Sequence, residues 1–491
     1  MKKRIIIIGA GIGSLASSIR LAKRGFSVKV FEKNHSPGGK ISEIRSNGYR
    51  FDTGPSLFTL PELINELTGV EKKLEYIKLS TISKYFFPDG VVFNAPGDPG
   101  LFGKELASVT GENENKIIKY LENAAELYNL TSPIFIFSSF QRFKKLVKTG
   151  NLGVLKGMLR FNPLISMHSF NNQSLDTSKA IQIFDRYATY NGSNPFKAPA
   201  TLNLIAHLEH NLGAYFASGG MYRLVNHLYE NALTNNVSFN FDSEVSEIII
   251  DNKQVVGVIA DGQKYHADIV ISGGDVFRTY RELLKKYRSP RSVRKPNLSS
   301  SAMIFYLGVK DTFRMLDVHS IFFTSDYPGE FECIFSEKGA KIFKDPTIYI
   351  YNSSRLEKND APPGCSNLFI MINVPADRGD DWTALANDAR RIIFDKLKRE
   401  HDIDIESKIE FEEVANPKTI ERDTLSTSGA LYGNNSNSLV SAFNRHPNFS
   451  RKFKNLFFTG GSVHPGGGIP LCLASAKIVE QEILNYFNTQ T

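Results

Sequence analysis

The first thirty residues carry apolar positions in a pattern that predicts three successive elements. Arg4–Ile8 places four isoleucines in a row, which is typical of a buried parallel strand. Leu15, Ile19 and Ala22 then recur at helical spacing. Ser27–Phe31 is again rich in apolar residues and is expected to form a second strand. The pattern therefore predicts strand, helix and strand in one βαβ unit.

Period-two alternation returns in the second half of the chain. Val237–Asp275 alternates around the turn dipeptides Asn252-Lys253 and Asp261-Gly262, where we expect hairpins. On pattern alone this stretch could equally be an independent β-meander, so its sheet is not assigned.

Three further segments predict one more helix and two more strands. Gly213–Asn236 has a glycine pair before an amphipathic helix. Ser301–Val309 and Asn367–Pro375 are apolar runs of strand length, which we interpret as members of a second sheet.

The segment Leu127–Leu175 differs from its surroundings in charge, because it contains Lys and Arg but no Asp or Glu. Within it, apolar residues recur at helical spacing in Ile136–Val147 and in Leu152–Leu159. A basic amphipathic helix is typical of a helix lying in the plane of a membrane surface. A helical cap with a solvated basic face is the alternative, and nucleic-acid binding has no supporting motif here.

Glycines mark the turn of the N-terminal unit. Gly9, Gly11 and Ser14 occupy the three positions of a GxGxxG fingerprint, and Glu32 follows the second strand. Gly9 makes the tight turn, Gly11 lets a pyrophosphate approach the backbone, and the helix N-terminus attracts the anion. An acid at the Glu32 position accepts hydrogen bonds from ribose hydroxyls. The context predicts a dinucleotide without separating NAD from FAD.

A second glycine-rich stretch, Gly460–Pro470, lies between an expected strand at Asn455–Thr459 and a helix from Leu471 onward. Ordering glycine is entropically unfavourable, so this stretch indicates a need for bare backbone at close range. Pro470 suits the first turn of the helix. His464 is the candidate acid or base in this stretch, although it can equally be a turn residue bonded to backbone.

Composition narrows the class of protein. The chain has 491 residues, 41% of them hydrophobic and 22% charged, as in ordinary globular proteins. Its net charge of +8 favours an anionic partner such as a phosphate-bearing cofactor, a nucleic acid or a membrane surface. Three cysteines without metal-ligand spacing argue against a disulfide framework and for a reducing compartment.

Two alternatives are disfavoured by the sequence. The N-terminus resembles a signal peptide, but its apolar run ends at Gly9, and no run reaches the length of about 18 residues needed to span a membrane. His207 and His210 share a predicted helix without a third ligand, so we predict no metal site.

The two glycine motifs together resemble a known family. Gly9–Glu62 and Asn455–Lys477 are similar to the end motifs of the bacterial carotenoid (phytoene-type) desaturases, which are FAD flavoproteins with a fold related to the amine oxidases. Leu471 stands where that family commonly has glycine. The resemblance implies an α/β fold, with a discontinuous Rossmann-type FAD-binding domain and a substrate domain of mixed sheet and helices.

The fingerprint and the resemblance together predict the FAD contacts. Lys40 is expected as a cation beside the phosphates, and the backbone of Val245 is expected on the adenine side. The full predicted set is Gly9, Gly11, Ile12, Gly13, Ser14, Glu32, Lys33, Gly39, Lys40, Gly54, Pro55, Ser56, Val245, Gly274, Gly460, Gly461, Gly468, Ile469 and Pro470.

The resemblance also divides the chain. Residues 1–85, 205–290 and 430–491 are expected to form the FAD-binding domain, and residues 86–126 and 291–429 the substrate domain. Residues 127–204 are expected to form a basic helical subdomain that attaches the protein to the inner face of a membrane from the cytoplasm.

The family's chemistry is formation of a C=C bond by hydride transfer to the flavin and proton loss from the neighbouring carbon. Phe51–Glu62 looks closer to the 1-hydroxycarotenoid 3,4-desaturase branch than to phytoene desaturases. Phytoene or carotene desaturation and carotene isomerisation remain alternatives, as do an amine oxidase and a non-catalytic prenyl-binding relative. The proton acceptor is not identified, with His464 or water as candidates, and the electron acceptor is oxygen or a quinone.

Overall fold

A computed structural model of the protein describes residues 2–69, 73–139, 141, 164–438 and 445–489. The strands in chain order are β1 (Arg4–Ile8), β2 (Ser27–Phe31), β3 (Ser42–Ser46), β4 (Tyr49–Thr53), β5 (Tyr76–Lys78), β6 (Thr81–Phe86), β7 (Val92–Pro96), β8 (Tyr215–Ala217), β9 (Ser238–Asn240), β10 (Val245–Asp251), β11 (Gln254–Ala260), β12 (Gln263–His266), β13 (Ile269–Ser272), β14 (Ser301–Val309), β15 (His319–Phe322), β16 (Ile348–Asn352), β17 (Ser366–Val374), β18 (Ile409–Ala415) and β19 (Leu456–Phe458).

The longer helices are α1 (Ile12–Lys23), α2 (Glu62–Thr68), α3 (Pro99–Thr110), α4 (Glu114–Phe135), α5 (Met167–Ser174), α6 (Ser178–Asp185), α7 (Tyr222–Thr234), α8 (Tyr327–Ile334), α9 (Trp382–His401), α10 (Pro417–Thr424) and α11 (Ile469–Asn488). Short α-helical turns occur at Leu204–Ala206, Val276–Arg278 and Arg291–Arg294. Single 3-10 turns lie at Arg186–Asn191, Ala200–Asn203, Ser353–Arg355, Lys358–Asp360, Glu406–Lys408 and Thr427–Gly429. Two π-helical turns lie at His207–Leu212 and Thr279–Leu283.

A parallel sheet in the order β19-β13-β1-β2-β9 is assembled from distant parts of the chain. Both of its faces are covered, which explains the unbroken isoleucine run of β1. Ile5 and Ile7 pack in one buried cluster with residues of α1, α7 and α11. Ile6 packs on the other face with residues of the antiparallel sheet β10-β11-β12. The predicted strands Arg4–Ile8 and Ser27–Phe31 are confirmed.

The stretch Val237–Asp275 contributes to two sheets. Its hairpins turn at Asn252-Lys253 and at Asp261-Gly262, and all four of these residues have positive φ. The following strand β13 pairs in parallel with β1, so the chain returns to the first sheet as the resemblance implied.

A mixed sheet in the order β18-β14-β17-β16-β15-β6-β7 forms the second layer. Only the β15–β6 pair is parallel among its described pairings. The predicted strand Ser301–Val309 is confirmed, and the one predicted at Asn367–Pro375 is found one residue earlier, at Ser366–Val374. Alternate residues of this sheet pack against α9, including Phe305, Ile350 and Ile370.

Two predicted boundaries differ from this architecture. β6 starts at Thr81 and pairs with β15, so the second sheet begins before the expected division at residue 85. α4 runs through the expected division at residue 126, and its buried residues share one core with α3, α5 and α6. Both differences arise from long-range packing, which leaves no local signal in the sequence.

The basic segment Leu127–Leu175 is described only at its ends. Its first residues complete α4, which ends at Phe135, and its last residues include α5. Ile136 caps α4, so the helical spacing predicted from this residue does not begin a new helix there. The predicted basic helix falls on residues 140 and 142–163, which lie outside the described residues. In the described ranges, no helix combines the length and the apolar character needed to cross a membrane.

Candidate active site

A cavity of about 1110 Å³ lies between the carboxyl ends of β1, β2 and β13 and one face of the seven-stranded sheet. Single-ligand pockets commonly enclose about 300–1,000 Å³. This cavity is therefore large enough for more than one drug-sized ligand. One end is bordered mainly by glycine backbone and the other by side chains of the sheet.

The N-terminal turn closes the glycine end. Gly9 has a φ of +87°, and its N–H donates to Phe31 O at 2.7 Å. α1 follows Gly11 without a side-chain cap, and Gly11, Ile12 and Gly13 line the cavity. The uncapped helix N-terminus therefore offers backbone N–H groups and the positive end of its dipole to an anion in the cavity.

The two glycine motifs touch each other. A Cβ added at Gly13 would lie 2.9 Å from Gly460 Cα, too close for a side chain. The hydroxyl of Thr459 also donates to Gly13 O at 3.3 Å. The absence of side chains thus allows the two ends of the chain to form one continuous backbone wall.

Ser14, predicted among the cofactor contacts, does not line the cavity and is 1% exposed. It lies against Gly273, where an added Cβ would be 1.8 Å from Ser14 Oγ. Its small side chain thus serves the packing of α1 against the end of β13. The third position of the fingerprint often has this packing role, which is why the sequence alone did not distinguish it from a contact.

Glu32 is held rigidly at the edge of the cavity. Its Oε2 accepts from Ala10 N–H at 2.6 Å and its Oε1 from Asn34 N–H at 2.9 Å. The carboxylate is 6% exposed and lines the cavity beside Val245 and Gly274. Two backbone donors thus orient an anionic acceptor where the fingerprint places the ribose.

The Gly38-Gly39-Lys40 turn packs directly on the N-terminal turn. A Cβ at Gly39 would lie 3.2 Å from Gly11 Cα. Lys40 Nζ donates to Ala430 O and Leu431 O, at 3.1 and 2.6 Å. Burial lowers the pKa of Lys40, and the nearby Asp275 raises it to a lesser extent. Lys40 lines the cavity, but its predicted place as a cation beside phosphates is modified by its bonds to these carbonyls.

The C-terminal motif brings a second helix N-terminus to the cavity. Gly460 and Gly468 have φ of +101° and +107°, and α11 starts at Ile469 with Pro470 in its first turn. Gly461 lines the cavity with these residues. The helix starts two residues before the predicted start at Leu471, and Pro470 lies in its first turn, as predicted.

His464 lines the cavity but is constrained as a base. Its Nε2 lies 3.0 Å from Ser138 O, a carbonyl that can only accept, so this nitrogen carries the proton. Burial lowers the pKa of His464 to about 4, with a further lowering by Arg445. The ring is therefore neutral near pH 7 and a weak proton acceptor.

The predicted contacts other than Ser14 meet at this one cavity: Gly9, Gly11, Ile12, Gly13, Glu32, Lys33, Gly39, Lys40, Gly54, Pro55, Ser56, Val245, Gly274, Gly460, Gly461, Gly468, Ile469 and Pro470. Lys33 Nζ also donates to Arg422 O at 3.1 Å.

The opposite wall was not predicted. Alternate positions on six strands of the second sheet line the cavity, as the two-residue period of a strand requires. They are Ser83, Ala302, Ile304, Tyr306, His319, Ile321, Tyr349, Phe369, Met371, Asn373, Glu413 and Ala415. Two of these strands were predicted from apolar runs in the sequence, but which face of a strand meets the cavity depends on the sheet order.

A buried ion pair borders this wall. Arg186 Nη2 donates to Tyr85 OH at 2.8 Å and to Glu209 Oε1 at 3.2 Å. Tyr187 OH also donates to Glu209, at 2.9 Å. Glu209 lies in the π-helical turn His207–Leu212, a type of irregularity that is frequent at functional sites. Arg186 and Glu209 both line the cavity, so it contains a paired charge near a wall of mixed apolar and polar side chains.

Comparison with protein families supplies the identity of this architecture. The model of the flavin containing amine oxidoreductases matches residues 15–484. The chain belongs to this family. As a member of the flavin containing amine oxidoreductases, it is an oxidoreductase that uses a flavin. The glycine end of the cavity is the part of the structure suited to hold the flavin cofactor.

Two relatives match this chain over nearly its whole length. It is 44% identical over 490 residues to the 1-hydroxycarotenoid 3,4-desaturase of Flavobacterium sp. (strain P99-3), covering 98% of this chain and 99% of that protein. It is 31% identical over 496 residues to the 4,4'-diapolycopene oxygenase of Methylomonas sp, covering 98% of each. The resemblance to carotenoid desaturases that the two motifs indicated is confirmed.

Solved structures support the fold. An oxidoreductase from Methanosarcina mazei matches with a TM-score of 0.65 at 14% identity, over 98% of this chain and 100% of that one. Putrescine oxidase bound to putrescine matches with a TM-score of 0.64 at 15% identity, over 99% of both chains. The predicted α/β fold of the amine-oxidase type, with a parallel Rossmann-like sheet and a mixed substrate-domain sheet, is confirmed.

Proposed function

We propose that the protein is an FAD-dependent carotenoid desaturase that acts on the 3,4 bond of a 1-hydroxycarotenoid. The observation that carries this proposal is the single cavity, which joins a glycine cradle to a long apolar and aromatic sheet face. The 44% identity to a 1-hydroxycarotenoid 3,4-desaturase over 98% of the chain supports the reaction and the substrate.

The glycine end fits FAD by its chemistry. Two uncapped helix N-termini, α1 after Gly11 and α11 after Gly468, border the cavity and favour the negative charge of a pyrophosphate or of a reduced ring. Glu32 presents acceptor oxygens for ribose hydroxyls, and the backbone of Val245 lies at the same end. When bound, the flavin supplies a hydride acceptor. We therefore assign residues 1–80, 205–290 and 430–491 to FAD binding and the second sheet to the substrate.

The sheet end orients a long apolar substrate. Ile304, Ile321, Phe369 and Met371 present apolar surface to the cavity and exclude water from the reacting carbons. Hydride loss from a polyene leaves a delocalised cation, and the adjacent C–H then becomes acidic enough for a weak acceptor such as water. This agrees with the weak basicity of His464, which we place as a structural part of the C-terminal turn.

The reaction is tested by supplying phytoene and a 1-hydroxycarotenoid separately to the flavin-loaded protein. We expect loss of two hydrogens from the hydroxycarotenoid, seen by mass and by a longer-wavelength polyene absorption. Product from phytoene alone would overturn the substrate assignment. Oxygen insertion, as the names of the oxygenase relatives suggest for those proteins, would overturn the reaction. Hydrogen peroxide release with simple amines, or a purified protein that retains no flavin, would favour the other classes.

We further propose that the protein acts from the cytoplasm at the surface of a membrane, through the basic segment Leu127–Leu175. The net charge of +8 and the lack of acidic residues in this segment support binding to anionic lipid. We expect the protein to sediment with vesicles of phosphatidylglycerol and less with vesicles of phosphatidylcholine. Equal binding to both vesicle types would contradict an electrostatic contribution.

The electron acceptor is proposed to be oxygen or a quinone. Supplying each of the two separately, and measuring which one supports turnover, identifies the acceptor.

A further inference from the structure

The proposed substrate has an oxygen close to the bond that is oxidised. In a 1-hydroxycarotenoid that is desaturated between carbons 3 and 4, one carbon separates the oxygen-bearing carbon from the reacting pair. A polar group that binds this oxygen must therefore lie near the reacting end of the cavity. An oxygen that enters an apolar cavity without a hydrogen bond is unfavourable, so a partner is required.

A chain of hydrogen bonds crosses the cavity wall at such a place. Ser56 Oγ lies 2.5 Å from Tyr349 OH, and Tyr349 OH lies 2.7 Å from His319 Nδ1. Ser56 follows the Gly54-Pro55 turn at the glycine end, whereas Tyr349 and His319 belong to β16 and β15 of the sheet. The chain thus links the segment proposed to hold the cofactor with the wall proposed to hold the substrate.

The His319 ring is fixed in position but lacks a second partner. It stacks on Tyr351 with ring centroids 5.2 Å apart and on Tyr349 at 6.0 Å. Its Nε2 is buried and makes no hydrogen bond within the described part of the chain, although the residue lines the cavity. Native proteins pair nearly all buried polar atoms, so such an atom at a ligand cavity points to a partner supplied by the ligand.

The protonation state of the ring suits a hydroxyl group. Burial lowers the pKa of His319 to about 3, and the charge of Arg186 adds to this. Burial also raises the pKa of Tyr349, which keeps its proton. The imidazole is therefore neutral near pH 7, with one nitrogen as donor and the other as acceptor. A hydroxyl both donates and accepts, so it satisfies Nε2 in either tautomer, whereas a hydrocarbon end would leave Nε2 unpaired.

We propose that His319, held by Tyr349 and Ser56, hydrogen-bonds the hydroxyl oxygen of the substrate and thereby selects a hydroxylated carotenoid over its hydrocarbon parent. This inference rests on the proposed function and names the residue that determines its specificity. Tyr327 is a competing candidate, because its hydroxyl is also buried without a described partner and the residue lines the same cavity. Arg186 Nε meets the same criteria, but the Arg186 guanidinium is already bonded to Tyr85 and Glu209.

The test compares a 1-hydroxycarotenoid with the same carotene lacking the hydroxyl. For each compound, the dissociation constant is measured by quenching of protein fluorescence and kcat/KM by polyene absorption. In His319→Phe, which keeps an aromatic ring for stacking, we expect a loss of roughly tenfold to hundredfold in binding and kcat/KM for the hydroxylated compound. The values for the parent carotene should stay unchanged or improve. Ser56→Ala should shift the ratio in the same direction by a smaller factor.

Tyr280→Phe is the matched control. Tyr280 OH lies 3.1 Å from His446 Nε2, so this change also removes a buried phenol that bonds to a histidine, but outside the cavity lining. It should leave the preference unaltered. An equal loss for both compounds in His319→Phe, equal binding of both by the wild-type protein, or loss of the preference in Tyr327→Phe alone would overturn the assignment. A wild-type protein that binds the hydroxylated compound preferentially but forms no new double bond would contradict the proposed function, and loss of that binding preference in His319→Phe would still support His319.

Discussion

One end of the cavity is lined mainly by backbone, and the other is lined mainly by side chains. At the glycine end, the wall is backbone: Gly11 packs on Gly39, and Gly13 approaches Gly460 so closely that a Cβ at Gly13 would lie 2.9 Å from Gly460 Cα. At the sheet end, the wall is made of side chains from strands far apart in sequence. The first end offers N–H groups and helix dipoles, which suit a phosphate-bearing cofactor, and the second offers shape and a few placed polar groups.

This difference predicts how each end responds to change. Substitution at the backbone-built end should act through cofactor binding, since a side chain at its closest approach, Gly13, meets the backbone of Gly460. Substitution at the sheet end should act through substrate choice or local stability. Four experiments test the division, beginning with the largest expected effect.

The sheet end contains a buried carboxyl whose ionisation should weaken the fold. Glu330 accepts hydrogen bonds from Thr347 N–H and Thr347 Oγ1, both at 2.7 Å. Burial raises the pKa of Glu330 to about 7, so the folded protein binds this proton more tightly than the unfolded chain does. The free energy of unfolding should therefore fall, relative to Glu330→Gln, by about 3 kcal/mol as the pH rises from about 4 to about 8. Urea unfolding across this range measures the difference.

Glu332→Gln, on the same helix but exposed to solvent, is the control. The difference between the wild-type protein and this variant should not change with pH. If the free energies of unfolding of the wild-type protein and Glu330→Gln changed with pH in parallel, the sheet end would tolerate the buried charge of Glu330. This result would weaken the contrast between the two ends of the cavity.

At the glycine end, Gly13→Ala should lower the affinity for FAD by roughly tenfold to hundredfold, because overpacking of this size is unfavourable by about 1–3 kcal/mol. The added Cβ meets backbone of Gly460, which cannot move aside as a side chain can. Titration of the flavin-free protein with FAD, followed by flavin fluorescence, measures this affinity. Gly103→Ala is the matched control, since its Cβ would meet side-chain atoms alone, the nearest being Ile118 Cγ1 at 3.4 Å. Similar affinities in both variants would contradict a backbone-built cofactor wall.

Glu32→Gln sharpens the same comparison with a smaller change. The oxygen of the side-chain amide can accept from Ala10 N–H, but the amide nitrogen cannot accept from Asn34 N–H, so the turn becomes less rigid. The substitution also removes the negative charge of the carboxylate. FAD affinity should fall about tenfold, with substrate preference unchanged. Glu230→Gln, on the exposed side of α7, serves as control. A change of substrate preference in Glu32→Gln would show that the two ends are coupled.

The smallest effect is expected at His464, where the two ends meet. With Nε2 bonded to Ser138 O and a pKa of about 4, the ring contributes little as a base. His464→Phe should retain turnover within about twofold, with a normal flavin content by absorbance. A loss of tenfold or more at normal flavin content would restore His464 as a catalytic residue.

The same contrast explains what the sequence could predict. The glycine end follows from local order: strand, glycine turn, helix, strand and acid occur within about thirty residues, each with its own signal. Ser14 differs from the other predicted contacts in that its side chain packs against Gly273 and does not line the cavity. Lys40 was recognised as a cation, but its carbonyl partners come from Ala430 and Leu431, which no local pattern connects to it.

The sheet end could not be predicted because its geometry depends on distant pairings. Ser56 and Tyr349 are 293 positions apart, and they meet where the turn after β4 approaches β16 of the mixed sheet. Several strands were visible in the sequence, yet their order and register were not. The group that we propose for recognition of a substrate hydroxyl, His319, could therefore not be located from the sequence.

The contact between Gly13 and Gly460 has a consequence for biosynthesis. The parallel sheet contains β1, which is translated before the second sheet, and β19, which leaves the ribosome only after the whole second sheet has been made. At about 5–20 residues per second, the N-terminal half of the cofactor cradle waits for tens of seconds for its counterpart. Flavin capture should therefore follow translation, and ribosome-bound chains stalled before residue 456 should not retain FAD.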